Sequence, residues 1–149
     1  MLGWVRQQGD KHLVFWLQCK QSGWDHYAGS GFVVEFQYSP SQQIGAYGAD
    51  CVRARLPRFL DEVELERVRQ TQNLVIDKLE RPSSDYFVLQ LGGEVAEWYM
   101  KQFEPVTGRY ARSDDIWLRY HEETDVRMWA NFLLEVLPKV MRSLTEGAT

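Results

Sequence analysis

The sequence predicts an α+β fold, with a three- to four-stranded antiparallel sheet packed against two long helices and one short helix. Residues 13–19 and 32–38 place apolar side chains at every second position, the period of a strand with a buried face. Residues 65–79 and 126–144 repeat apolar side chains at three- and four-residue steps, the period of a helix with one covered stripe. No internal repeat, low-complexity tract or linker divides the 149 residues. Residues 1–149 therefore read as one domain, long enough to bury a core without staples.

The first expected strand, 11–20, alternates Leu13, Phe15, Leu17 and Cys19 with Val14, Trp16, Gln18 and Lys20. Both sets begin apolar, so its first half should be covered on both faces and its second half on one. Residues 22–30, Ser-Gly-Trp-Asp-His-Tyr-Ala-Gly-Ser, form a connection too long for a two-residue hairpin turn. Residues 32–38 then alternate Phe32, Val34, Phe36 and Tyr38 with Val33, Glu35 and Gln37, a one-sided strand. Pro40, Gly45 and Gly48 make 39–50 a loop. A third strand is expected at 51–56, ending before Pro57, which biases Leu56 toward extended backbone.

A helix follows, with Asp61 as N-cap and Glu64 closing a capping box. Its stripe is Leu65, Val68, Gln72, Val75 and Leu79, and Pro82 stops it. Gln72 on that stripe suggests an edge half in water, since a buried amide needs partners. Glu64–Arg67 and Glu66–Arg69 are spaced as i,i+3 pairs. Residues 86–91 form a short apolar stretch of open type. A short helix over 94–103, carrying an expected Glu97–Lys101 pair, ends before Pro105, and 116–120 reads as a final strand. The last helix is capped by Thr124 or Asp125 and presents Val126, Trp129, Leu133, Val136, Leu137, Val140, Met141 and Leu144. Pro138 inside it predicts a kink or break.

Composition bounds the function. A net charge of −4 exerts no global pull on nucleic acid or anionic membrane, so nucleic acid is disfavoured as a partner. The N-terminus lacks the apolar run of a secretory signal or spanning helix, which makes a cytoplasmic protein with no membrane partner the expectation. Cys19 and Cys51, the only cysteines, match no metal spacing and read as reduced thiols. There is no phosphate-binding loop, dinucleotide fingerprint, nucleophile elbow or Cys-x-x-Cys, and no nucleophile has an identifiable base. No cofactor and no metal are expected.

Three clusters are candidates for a site. Trp24, His26 and Tyr27 sit on a glycine-flanked loop where aromatic faces could stack on a ligand. The competing reading folds Trp24 back as a lid over the sheet while Asp25 makes an Asx-turn. Arg53 and Arg55 project from one face of a strand near the Tyr47 loop, a fork suited to an anion. Asp61, Glu62 and Glu64 downstream could neutralise that fork instead. The run His121-Glu122-Glu123 with Asp125 has metal-capable atoms but reads as a solvated acidic turn feeding a helix N-terminus.

Several segments together resemble a group of small bacterial domains of unassigned function. They are Leu2-Gly-Trp4 ahead of a strand, Phe15-Trp-Leu-Gln18, Trp24-Asp25 followed by Tyr27-Ala-Gly-Ser30, and Phe32-x-x-Glu-Phe-Gln37. Later pieces are Arg55-Leu-Pro57, Gln72-Asn73, Trp117-Leu-Arg-Tyr120, Asp125-Val126 and Trp129-Ala130. The resemblance implies an α+β domain with an antiparallel sheet and C-terminal helices. It also implies a leading helix ending in Gly-Phe, where this chain has Gly3-Trp4 and little helix before it. It transfers no catalytic residues.

The leading functional expectation is a small cytoplasmic binding protein of the immunity or antitoxin kind. Its partner would be another protein, met at Trp24, His26, Tyr27, Tyr47, Arg53 and Arg55. The alternative is an enzyme acting on an anionic or nucleotide-like substrate, with Arg53 and Arg55 clamping the anion and His26 moving a proton.

Overall fold

The computed structural model describes residues 2–8, 11–20, 23–39, 52–83 and 90–147. The strands are β1 (Leu2–Gln8), β2 (Lys11–Cys19), β3 (Ser30–Ser39), β4 (Val52–Arg55) and β5 (Leu118–Tyr120). The helices are α1 (Glu62–Asp77), α2 (Gly93–Lys101) and α3 (Glu123–Gly147), with a 3-10 turn at Leu56–Phe59. An α+β fold with an antiparallel sheet results, its strands in the order β1-β2-β3-β4. β5 pairs with the first residues of β3, Ser30 to Phe32, and β4 with the later ones, Glu35 to Tyr38. The expected strand over 116–120 is shorter at its start, and Tyr47, Cys51 and most of the 86–91 stretch lie outside the described residues.

One face of the sheet builds the core. Phe32, Val34, Phe36 and Tyr38 of β3 pack with Leu56, Leu60, Leu65, Val68, Leu118, Trp129, Phe132, Val136, Val140 and Leu144. Each large apolar side chain taken out of water contributes roughly 1.5–3 kcal/mol before chain entropy is charged against it. β3 is not the one-sided strand that its alternation suggested. Val33, Gln37 and Ser39 on its other face are buried too, as are His12 and Val14 beside them on β2. Gln37 offsets its burial in part by donating to Ser39 Oγ at 3.3 Å.

Both halves of the expected capping box are present at α1. Asp61 accepts from Glu64 N at 2.8 Å, and Glu64 accepts from Asp61 N at 2.9 Å. Glu64 does not pair with Arg67, however. It takes Lys139 from α3, while Arg67 reaches Glu135 of α3 at 2.9 Å, so both charges tie the two helices together. Glu66 and Arg69 do pair. Glu97 and Lys101 do not. Gln72 is 3% exposed, not half in water. Its amide donates to Trp117 O at 2.7 Å and accepts from Arg119 N at 2.8 Å, which satisfies it inside the core.

α3 runs unbroken through Pro138. The proline costs the carbonyl of Leu134 its helical donor, but Leu134 is on the solvent side, where water can take that place. The helix is capped from within. Asp125, in its first turn, accepts from the backbone N–H groups of His121 and Glu122, each at 2.9 Å, and pairs with Lys78.

Candidate functional site

Among the described residues α3 packs mainly on β3, β5 and the 3-10 turn, and the β1–β2 half of the same sheet face is only partly covered. Between that half and α3 runs a half-open groove of about 590 Å3. Its floor includes Trp4, Leu13, Phe15 and Leu17, and its wall includes Val126, Ala130, Leu133, Leu134, Leu137 and Met141. Among the described residues of the lining, Arg6 alone is charged. The volume falls within the range of about 300–1,000 Å3 typical of binding sites. The apolar floor is continued at the rim by Trp4, stacked on Phe15 with centroids 5.2 Å apart, and by Leu134, which is 67% exposed.

The aromatic loop is rigid in its backbone. Asp25 Oδ1 accepts from Tyr27 N at 2.9 Å and Ala28 N at 3.0 Å, the expected Asx-turn. Asp25 and Gly29 exchange two backbone bonds across it. Trp24 is not a lid over the sheet: it is 51% exposed and donates Nε1 to His121 O at 3.0 Å, just ahead of α3. His26 is exposed and lies against the Tyr27 ring, and its carbonyl meets His121 Nε2 at 2.8 Å. The loop therefore stands at the end of α3 where Val126 opens the groove.

The arginines are elsewhere. Arg55 lies opposite Glu35 and Arg53 opposite Gln37 on β3. Glu35 is five residues along the strand from the loop's exit at Ser30, about 16 Å. Arg53 pairs with Glu35, and Arg55 with Asp115 at 2.7 Å. Neither takes Asp61 or Glu64, which cap α1 and meet Lys139 instead. The geometry brings Trp24, His26 and Tyr27 together, and does not bring Arg53 and Arg55 to them.

A second, polar pocket of about 80 Å3 lies beneath the aromatic loop, lined by Lys20, Asp25, Trp98, Tyr99, Gln102 and Arg119 among others. Tyr99 donates to Asp25 Oδ1 at 2.8 Å, and burial together with that bond holds its hydroxyl proton well above the usual phenol range. Arg119 is 8% exposed and donates to Gln102 O at 3.1 Å and Ala28 O at 3.0 Å. Burial lowers the pKa of Arg119, and it also lowers that of Lys20, helped by the Arg119 charge. None of these residues except the loop's own was a sequence candidate. Together they come from four segments, the end of β2, the aromatic loop, α2 with its C-cap, and β5, which no sequence period joins.

Among the described residues no group of three or more metal-capable side chains converges, and no helix is long and apolar enough to cross a membrane. No family model matches the chain, and neither a curated protein nor a solved structure matches it. The fold and its groove therefore carry the functional reading.

Proposed function

We propose that this chain is a binding protein whose groove between the β1–β2 edge and α3 receives an apolar segment of a partner protein. The groove is the observation that carries this reading. Apolar surface standing in contact with water across a sheet, a helix and their exposed rims is a feature of interaction sites. The groove stands open to water, with Trp4 and Leu134 of its lining more than half exposed, which favours a macromolecular segment over an enclosed small molecule. Among the described residues β1 is an edge strand of the sheet, and such an edge can add main-chain bonds to an extended partner. Arg6 sets a preference for an acidic residue at that rim. A cytoplasmic protein of the immunity or antitoxin kind needs such a surface. The enzymatic alternative requires His26 beside Arg53 and Arg55, and no observation favours it.

A photocrosslinking residue at position 134 identifies the partner, whose affinity is then measured with purified protein. Leu134→Asp weakens binding by about tenfold or more, because it sets a charge into an apolar contact. Leu74→Asp, on exposed α1 surface, leaves it unchanged. Equal affinities for the two variants overturn the reading.

A further inference from the structure

We propose that the pocket formed by Lys20 and Arg119 binds a single small oxyanion. Among the described residues neither cation has a carboxylate within ion-pairing distance. Arg119 is held by two neutral carbonyls, and its Nε is buried with no acceptor. Lys20 Nζ meets Gln102 Oε1 at 3.4 Å and lies over the rings of Trp98 and Trp117, at 5.5 and 5.8 Å from their centroids. Neutral acceptors and aromatic faces orient a cation without cancelling its charge. Two like charges kept near each other and out of water are costly unless a counter-ion joins them.

The third ionised group lining the pocket is Asp25. Its Oδ1 is already committed to two backbone N–H groups and the Tyr99 hydroxyl. With Lys20 and Arg119 positive and Asp25 negative, the lining carries one net positive charge. One anion balances it. A space of about 80 Å3 admits a phosphate, sulfate or carboxylate group and little more. Gly23 at its border has nothing within 4 Å of where a Cβ would stand, which leaves that side open. Lysine supplies a mobile point charge and arginine a fixed donor fork, a pairing suited to an oxyanion. The site is independent of the groove and of the partner assigned to it.

The test compares thermal unfolding in sodium phosphate, sodium acetate and sodium chloride at equal ionic strength. Phosphate or acetate raises Tm above the chloride value, and whichever does so identifies the group bound. Lys20→Met, which keeps the stem between the two tryptophans, abolishes the increment, with affinity down by about tenfold or more. Lys101→Met, on the exposed side of α2, retains it. A second measurement needs no variant. In the native chain, phosphate or acetate slows reductive methylation of Lys20 relative to Lys101, read by peptide mass spectrometry. Phosphate and acetate increments no larger than chloride, together with unprotected Lys20, overturn the proposal, as does an increment that survives Lys20→Met.

Discussion

Gln72 holds the backbone of Arg119 from across the core, accepting from its N–H at 2.8 Å while donating to the carbonyl of Trp117 at 2.7 Å. The amide completes the free side of β5 much as a neighbouring strand would. The next residue of α1 does the same one segment earlier: Asn73 accepts from Val106 N at 2.8 Å and donates to Val106 O at 3.0 Å. Two consecutive amides thus anchor the long connection between α2 and β5, and with it Arg119. Gln72→Leu leaves a buried carbonyl and a buried N–H unpaired, and is expected to cost about 2–4 kcal/mol in denaturant unfolding. A loss below about 0.5 kcal/mol would show that water replaces the amide.

That connection marks the boundary of what the sequence discloses. Local rules were legible: the Asp61–Glu64 box, the alternation of β2 and β3, the stripe of α3 and the Asx-turn at Asp25 all follow from neighbours within a few residues. β1 carries no strand period of its own, because Arg6, Gln7 and Gln8 follow Val5 without alternation. Gln72 looked like a polar error on an apolar stripe because its partners lie 38 to 47 residues away. The arginine partners Glu35 and Asp115 depend on register and on a long loop, which spacing does not encode. The groove is a property of where α3 comes to rest, and the Lys20–Arg119 pocket of four segments meeting. Neither has a sequence period.

Asp125 and Lys78 should set an acid limb to stability. Burial raises the Asp125 pKa, but the Lys78 bond and the backbone donors of Glu122 and His121 outweigh it, so the folded value lies below the ordinary 3.8. An acid with a lowered folded pKa contributes stability in full above the unfolded value. That contribution is lost as pH falls through the folded value. Asp125→Ala is therefore expected to cost about 2–4 kcal/mol near neutral pH, with the gap to the parent chain narrowing below about pH 4. Urea unfolding across that range checks it. A gap that stays constant with pH would assign the loss to packing alone.

Two glycines in the aromatic loop separate backbone strain from collision. Gly23 and Gly29 have φ of +73° and +65°, but only at Gly29 would a Cβ run into a neighbour, the carbonyl of Tyr120. Gly23→Ala should cost about 1–2 kcal/mol, the ordinary price of a left-handed alanine. Gly29→Ala adds displacement of β5 and should cost about 3 kcal/mol or more. Paired thermal melts decide it, and equal losses would mean that β5 yields easily to the added methyl.

Tyr99 joins α2 to the aromatic loop through Asp25, and its hydroxyl should ionise late. Its folded pKa is raised by burial and by the bond to Asp25. A raised acid favours folding fully below the unfolded value, near 10, and loses that advantage as pH rises through the folded value. Alkaline difference spectra at the phenolate band should show a lagging fraction that includes Tyr99 and the buried Tyr110 while the chain stays folded. Tyr99→Phe should shrink that fraction and cost about 1–2 kcal/mol through the lost bond to a carboxylate. A spectrum in which every tyrosine titrates together would contradict the bond.

The groove itself can be probed before any partner is known. Ala130 lies on its α3 wall, exposed and lining the groove opposite β1 and β2. A dye that fluoresces in apolar surroundings should bind the native chain at neutral pH, where a well-closed domain would leave it dark. Ala130→Trp places an aromatic ring into the open volume. It should displace the dye and add about 0.5–2 kcal/mol of stability, as cavity-filling substitutions do. Leu134→Asp should weaken dye binding with a stability change within about 0.5 kcal/mol, since its side chain is mostly in water. If instead the dye brightens only as the chain unfolds, α3 covers the sheet in solution and no groove stands open to a partner.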